Sequence, residues 1–272
     1  MKALIVFAHP EPRSFNGALL EKAAVTLRSH GHDVQVTDLY GMNWRADVGA
    51  DDLAGERLNS EFLDLVAEQE HMYTRAIAPP PEIAAEQEKL LWCDLLILQF
   101  PIWWFGMPAI LKGWVDRVLT RGFAYRPGRK YEAGLLKGRR AIVSTTTGVP
   151  ASLYEPDGID GDINHILWPL HNGVLGYVGF EVMPPHVSWM PGRVTESVRQ
   201  SYLDGYAARL LSLHHTPPLY FHPMSDYGPD QRLKPGVVAR SGFQWNPSAG
   251  QSHGEAAAVH TPTRHTDQSE GN

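Results

Sequence analysis

Short apolar runs alternate with helical patterns over most of the chain up to residue 213. Residues 2–8 (KALIVFA) form an apolar run and residues 34–39 alternate apolar with polar side chains, so both segments predict strands. Between them, apolar residues recur every three to four positions from Asn16 onward, and Gly31 marks the end of the predicted helix. This strand–helix–strand order is typical of a parallel sheet.

The same alternation continues through the middle of the chain. Continuous apolar runs at 94–100 and 141–145 predict strands buried on both faces, and a weaker run at 177–183 predicts a fifth strand. Helical patterns fill the intervals, over residues 82–91, 108–120, 163–175 and 195–213. Five strands alternating with helices predict a three-layer α/β fold with a parallel sheet. The charged segment 41–80 is predicted to be an irregular insertion.

The periodic pattern stops after about Pro217. Residues 217–248 are rich in proline, glycine and aromatic residues, which predicts an extended segment on the surface. Residues 249–272 contain one branched aliphatic side chain, Val259, and too little apolar area to offset the entropy of ordering. The predicted organisation is therefore an α/β domain over residues 1–216, an irregular C-terminal extension over 217–248 and a disordered tail.

Composition and charge narrow the functional classes. With 43 % apolar and 20 % charged residues, the chain has the composition of a folded globular protein. A net charge of −6 argues against a nucleic-acid partner, because no basic excess is present to contact phosphates. The single cysteine, Cys93, excludes an intramolecular disulfide and every CxxC motif, and no metal is expected. No apolar stretch approaches the ~20 residues that span a bilayer, so we expect a cytoplasmic protein without membrane insertion.

Three segments of unusual composition follow three of the predicted strands, where open parallel sheets bind their ligands. The first, residues 9–16 (HPEPRSFN), opens a predicted helix whose backbone N–H groups favour an anion such as a phosphate. An N-cap by Ser14 or Asn16 is the commoner explanation of the same residues. Neither GxGxxG nor GxxxxGK[ST] occurs, so dinucleotide-Rossmann and P-loop sites are not indicated.

The second and third segments offer different chemistry. Residues 100–108 (FPIWWFGMP) concentrate aromatic area in a strand-end loop, which suits a flat stacking ligand and, equally, an oligomer interface. Residues 145–150 (TTTGVP) offer hydroxyls and a glycine, although a simple turn has the same composition. Taken together, the three segments predict a cleft with an anion end, an aromatic wall and hydrogen-bonding groups. A flavin nucleotide needs that combination.

At these three segments the sequence resembles the NAD(P)H:quinone oxidoreductases, the DT-diaphorase family. The matching stretches are AHPEPRSFN (8–16), QFPIWWFGMPAILKGWVDRV (99–118), GFAY (122–125), TTGVPASLY (146–154), GIDGDIN (158–164), ILWP (166–169) and TPPLYF (216–221). They occur in order over about residues 2–230. The PAILKGW-type segment is highly specific when it is combined with the others.

The resemblance implies a flavodoxin-like fold whose five-stranded sheet has the order 2-1-3-4-5, with residues 1–216 as the FAD-binding catalytic domain. It also implies a homodimer with tightly held FAD, which reduces quinones or similar flat acceptors by two electrons from NAD(P)H in a ping-pong cycle. An azo- or nitroreductase of the same fold is a near alternative. From outside this enzyme class, the same fold also suits an ancillary regulator of a potassium-efflux channel or a flavin-binding protein with little turnover.

Matching positions imply roles for individual residues. The adenosine and pyrophosphate end of FAD would be held by His9, Ser14, Phe15, Asn16 and Ala18, with an outer contact from Arg199. The flavin ring would be framed by Pro101, Ile102, Trp103, Trp104 and Phe105. The polar edge of the ring would meet Thr146, Thr147, Gly148 and Tyr154. The acceptor pocket would be lined by Tyr125, Tyr177 and Tyr227, in part from the partner chain.

Three positions depart from the family pattern. Asp160 stands where the family has the histidine of Gly-Ile-His-Gly, Pro127 replaces the second tyrosine of Tyr-x-Tyr, and Val149 replaces a glycine of Thr-Thr-Gly-Gly. The resemblance makes Tyr154 and Asp160 the catalytic pair. The aspartate would either carry the proton itself or orient the Tyr154 hydroxyl by accepting its hydrogen bond. In a third interpretation it faces solvent or caps the following helix.

Overall fold

The structure, a computed structural model, describes residues 1–239, and contacts divide the chain into one unit ending at Phe221 and another beginning at His222. The strands of the first unit are β1 Lys2–Phe7, β2 Asp33–Asp38, β3 Leu95–Pro101, β4 Arg140–Thr147, β5 Glu181–Val182 and β6 His186–Trp189. Its α-helices are α1 Phe15–Ser29, α2 Leu65–Thr74, α3 Pro81–Trp92, α4 Ala109–Val118, α5 Ile163–Leu170 and α6 Glu196–Ser212.

The strands pair in parallel in the order β2-β1-β3-β4-β5, with β6 also paired to β4. The predicted fold class and strand order are thereby confirmed. Phe7, Gln99 and Ser144 lie side by side in the register of β1, β3 and β4. The loops that follow these three strands therefore leave from the same edge of the sheet.

Different helices cover the two faces of the sheet, which completes the three predicted layers. On one face, Ile5 and Ile97 pack with Leu27 of α1 and Leu210 of α6 in a buried apolar cluster. The other face is covered by α3, α4 and α5, where Trp114 is almost completely buried. The central strands are buried on both sides, which explains their continuous apolar sequences.

The fifth strand differs from its predicted bounds of 177–183. Tyr177 belongs to a helical segment, and only Glu181–Val182 pairs with β4. Pairing resumes at β6, which the sequence pattern did not reveal. The interruption falls at Pro184 and Pro185, which have no N–H group to donate to the sheet.

The helix predicted over residues 163–175 is also divided. Its α-helical part ends at Leu170 and is followed by a π-helical turn over His171–Gly176. Pro169 lies inside this helix and cannot donate the usual backbone hydrogen bond, which accounts for the loss of regular α-helical geometry just beyond it.

The segment predicted to be an irregular insertion, residues 41–80, contains helix α2, so that prediction is wrong there. The segment is anchored by a buried ion pair, in which Arg117 of α4 donates to Asp52 at 2.7 Å. The Arg117 guanidinium also lies 4.4 Å from the ring centre of Trp44. These polar contacts attach a weakly apolar segment to the domain.

Contacts divide the chain after Phe221, and the functional domain boundary at residue 216 stays a prediction. The backbone N–H of Leu219 donates to Val182 at 2.8 Å within the first unit. In the second unit, a short turn over Met224–Asp226 is accompanied by a 2.8 Å contact between His222 and Asp226.

The remainder of the predicted extension and the predicted tail, from residue 240 onward, lie outside the described residues. No helix within residues 1–239 combines the length and apolar character that crossing a membrane requires.

Candidate active site

The loops that follow β1, β3 and β4 line a single cleft of about 850 Å³. Its lining includes twelve of the residues that the resemblance assigns to cofactor binding: His9, Ser14, Phe15, Asn16, Ala18, Pro101, Ile102, Trp103, Thr146, Thr147, Gly148 and Arg199. Parallel strand order explains this convergence, because all three loops start at the carboxyl edge of the sheet.

One end of the cleft is suited to an anion. Ser14 is the N-cap of α1, and its hydroxyl accepts from the N–H of Gly17 at 3.2 Å. The N–H groups of Phe15 and Asn16 have no hydrogen-bond partner among the described residues. Capping and anion binding, between which the sequence did not decide, are therefore compatible here, because capping uses only one of the free donors.

His9 lies beside this end with a fixed ring. Its Nδ1 lies 3.0 Å from both the N–H nitrogen and the carbonyl oxygen of Glu11, so it accepts from the N–H in one tautomer and donates to the carbonyl in the other. The ring of His9 lies 6.2 Å from that of Trp103, so the anion end and the aromatic segment are contiguous.

The aromatic segment is a tight turn. Trp103 and Gly106 exchange two backbone hydrogen bonds of 3.0 Å. Trp104 and Phe105 between them have φ values of 49° and 60°, a left-handed conformation that is costly for non-glycine residues. Trp104 is 97 % exposed, while Phe105 contacts the ring of Tyr154 edge-on at 6.4 Å. The turn therefore presents aromatic surface that residues 1–239 leave uncovered.

The two neighbouring threonines at the end of β4, Thr146 and Thr147, use their hydroxyls differently. The hydroxyl of Thr147 donates to the carbonyl of Val149 at 2.7 Å and is thus used within the loop. The hydroxyl oxygen of Thr146 accepts from Asn16 Nδ2 at 2.9 Å. Its own proton has no acceptor among the described residues, and the side chain lines the cleft.

Tyr154 lies next to the cleft and is buried, 5.7 Å from the ring of Trp189. Burial raises the pKa of its hydroxyl, and the negative charge of nearby Asp160 raises it further. The N–H of Asp160 donates to Leu153 at 2.9 Å, which fixes the loop against the turn that carries Tyr154. The cap of α5 is Asp162, so a capping role for Asp160 is wrong.

Arg199 supports the outer end of the cleft. Its guanidinium donates to the carbonyls of Val194 and Pro191 and pairs with Glu196, so its donors hold the preceding loop. That loop, residues 190–193, lines the cleft together with Leu203. No sequence motif marks these residues, because the loop reaches the cleft from β6 and Leu203 reaches it from α6.

The predicted acceptor residues are not gathered at this cleft. Tyr125 and Tyr177 pack edge-on at 5.5 Å and line a separate groove of about 400 Å³ beside α4. Tyr227 belongs to the second unit. Within one chain the structure therefore does not bring Tyr125 and Tyr177 into the strand-end cleft, and the role of all three tyrosines stays a prediction.

The residues present fit a flavin nucleotide. Free N–H groups and a helix N-terminus suit its phosphates, the free Thr146 proton suits a ligand acceptor, and exposed aromatic area beside the cleft suits a flat ring. The cleft volume of about 850 Å³ lies within the range of small-molecule and cofactor sites.

Comparison with known proteins gives consistent matches. Residues 1–210 match a protein family described as having a flavodoxin-like fold. A ribosyldihydronicotinamide dehydrogenase [quinone] of Mus musculus is 42 % identical, over 81 % of this chain and 97 % of the mouse protein. NAD(P)H dehydrogenase [quinone] 1 of Rattus norvegicus is 41 % identical, over 82 % of this chain and 81 % of the rat protein.

A crystal structure from Klebsiella pneumoniae, provisionally assigned as a quinone reductase, aligns with a TM-score of 0.84. It is 40 % identical and covers 89 % of this chain and 98 % of its own.

Proposed function

The chain belongs to the NAD(P)H:quinone oxidoreductase family, with its flavodoxin-like fold, and we propose that it is an FAD-dependent NAD(P)H dehydrogenase reducing quinones or similar flat acceptors. The observation that carries this proposal is the cleft formed by three strand-end loops, with an anion end and an aromatic turn at its edge. When bound, FAD would supply the redox chemistry, taking a hydride equivalent from NAD(P)H and passing it to the acceptor.

The chain's own residues would bind and orient the cofactor. The N–H groups of Phe15 and Asn16 would donate to phosphate oxygens, and the Thr146 hydroxyl would donate to a further acceptor atom. The turn at Trp103 would supply aromatic surface and exclude water. Tyr154 would keep its proton and donate it in a hydrogen bond, since its pKa is raised.

FAD, rather than FMN, is supported by the extent of the cleft. It continues past the anion end to Phe15, Arg199 and the loop at residues 190–193. A ring and one phosphate would leave this outer end without a ligand, whereas an adenosine would occupy it.

A homodimer with shared active sites is supported by two observations. The aromatic turn leaves Trp104 almost fully exposed, and large exposed apolar groups of this kind mark interaction surfaces. Tyr125 and Tyr177 line a groove separate from the cleft of their own chain, so the acceptor role predicted for them would require a second copy beside the cofactor. NAD(P)H and the acceptor would bind in alternation at this shared site, which is a ping-pong cycle.

Purified protein is expected to be yellow, to release FAD on denaturation and to oxidise NAD(P)H with menadione as the acceptor. Chromatography of the released cofactor, light scattering of the holoprotein and the steady-state assay check the cofactor, the dimer and the activity. Parallel lines in double-reciprocal plots are the kinetic result expected of a ping-pong cycle. Dihydronicotinamide riboside is the control electron donor, because the mouse relative is named a ribosyldihydronicotinamide dehydrogenase.

A colourless protein that takes up neither FAD nor FMN would contradict the proposal. Release of FMN alone would retain the fold and overturn the adenosine role of Phe15 and Arg199. Flavin binding without turnover, together with co-purification of a membrane protein, would favour the regulatory alternative.

Asp160→Asn is expected to change both the pKa of Tyr154 and the rate at which NAD(P)H reduces the bound cofactor. The negative charge of Asp160 disfavours tyrosinate, so removing it lowers the pKa of Tyr154, although burial still holds that pKa above its ordinary value. Reduction of the bound cofactor by NAD(P)H is expected to be about tenfold faster in the variant, because a carboxylate near Tyr154 opposes the negative charge that develops there.

Ultraviolet titration and stopped-flow absorbance measure these two effects. Asp160→His, which restores the residue of the family pattern, is the matched comparison. Identical rates and pH profiles for the wild type and both variants would remove Asp160 from the chemistry.

A further inference from the structure

Gln99 places a polar amide in the otherwise apolar strand β3. Its side chain is completely buried on the sheet face covered by α1 and α6. The amide Nε2 donates to Oδ1 of Asn16 at 2.9 Å, and the buried Oε1 has no partner among the described residues. Burying an amide that is only half satisfied is costly, so its position beneath the cleft points to a use.

The hydrogen bond from Gln99 is the first of two that run in one direction. Asn16, itself buried, donates from Nδ2 to the hydroxyl oxygen of Thr146 at 2.9 Å. Because Asn16 turns Nδ2 toward Thr146 and Oδ1 toward Gln99, its carbonyl oxygen does not face the Thr146 hydroxyl and does not accept the Thr146 proton. With no acceptor among residues 1–239, that proton is left for a ligand in the cleft that Thr146 lines.

We propose that Gln99 is a positioning residue that holds the Asn16 amide so that the Thr146 hydroxyl donates to an acceptor atom of the bound flavin. The inference rests on the proposed function for the identity of the ligand. It adds a residue that touches no ligand and sets the direction of the three-residue chain Gln99–Asn16–Thr146.

A single substitution at residue 99 can reverse the direction of these two hydrogen bonds. In Gln99→Glu, an ionised carboxylate can only accept, so the Asn16 amide turns and donates Nδ2 to it. Asn16 Oδ1 then faces Thr146 and accepts its proton, which removes the donor from the cleft. When the introduced carboxyl is protonated, it donates to Asn16 as Gln99 does, and the original direction returns.

The experiment measures the dissociation constant of FAD from apoprotein by fluorescence quenching across a pH series. Gln99→Glu is expected to bind FAD normally at low pH and about tenfold more weakly at high pH, as expected for one lost hydrogen bond. Thr146→Val is expected to bind about tenfold more weakly at every pH. Thr146→Ser, which keeps the hydroxyl, is expected to restore wild-type affinity, and the double variant Gln99→Glu/Thr146→Val is expected to lose its pH step.

Gln87→Glu is the matched control for burying a carboxyl. Gln87 is also a buried glutamine, whose Nε2 donates to the carbonyl of Val118 away from the cleft. This variant is expected to lose stability without acquiring a pH step in FAD affinity. A pH step in the FAD affinity of Gln87→Glu, or none in that of Gln99→Glu, would overturn the proposed positioning role of Gln99 while leaving the proposed function in place.

Failure of the proposed function has a different signature, since wild-type protein would then bind no flavin at all. The hydrogen bonds from Gln99 to Asn16 and from Asn16 to Thr146 are still tested in that case by hydrogen exchange of side-chain amides in apoprotein. Gln99 Nε2 and Asn16 Nδ2 protons are expected to exchange more slowly than those of exposed amides. In Gln99→Glu, the Asn16 amide resonances are expected to shift between low and high pH as the amide turns. If these amide protons exchange as fast as those at the surface, the proposed positioning role of Gln99 is overturned.

Discussion

Gly17→Ala is expected to abolish tight flavin binding and to destabilise the domain. A Cβ atom at this position would lie 1.8 Å from the backbone oxygen of Pro12, so the loop or the first turn of α1 must move. We expect a loss of about 3 kcal/mol in the free energy of unfolding, at the upper end of overpacking costs. Moving the turn also misaligns the N–H groups of Phe15 and Asn16.

Hydrogen bonds to charged oxygens contribute about 1.5–3 kcal/mol each, so losing two of them weakens FAD binding at least about a hundredfold. Urea denaturation of apoprotein and FAD titration measure the two effects separately. Gly205→Ala is the matched control, because Gly205 is an exposed helical glycine of α6 with nothing within 4 Å of the added methyl group. It is expected to be neutral or to stabilise by up to about 1 kcal/mol. Equal behaviour of the two variants would contradict the close approach at Pro12.

Arg117→Met is expected to destabilise the protein by about 3–5 kcal/mol, because it leaves a buried carboxylate without its main partner. The Arg117 guanidinium is 1 % exposed and donates to Asp52 and to Glu82, at 2.7 and 3.0 Å. Arg45 also pairs with Asp52 but is partly exposed, so it replaces the lost partner only in part. Stability is measured by urea denaturation followed by tryptophan fluorescence.

Lys112→Ala is the control on the same helix, since it breaks an exposed pair with Asp116 that is worth about 0–1 kcal/mol. If Arg117→Met does not fold, Arg117→Lys keeps the charge but loses the fork of N–H donors and is expected to show an intermediate loss. A change of less than about 1 kcal/mol in either Arg117 variant would show that the insertion does not depend on this pair.

The fold was predictable where burial on both faces leaves a pattern in the sequence. The apolar runs of β1, β3 and β4 and the periodic helix α1 correspond closely to the observed elements. Helix α2 was not predictable, because it is attached by polar contacts of Gln69 and Glu70 with Arg121 rather than by an apolar stripe. The short edge strands β5 and β6 were obscured by Pro184 and Pro185, which interrupt the pattern without ending the pairing.

The candidate site was predictable in composition but not in arrangement. The sequence alone determined the fold class, the strand order through its family resemblance, and the three loops, because strand-end loops of a parallel sheet meet at one edge. Only the tertiary structure distinguished the hydroxyl of Thr146 from that of Thr147 and connected Gln99 to the cleft. The physical reason is that hydrogen-bond direction depends on which groups become neighbours across strands and helices far apart in sequence, whereas burial of a strand depends on its own residues.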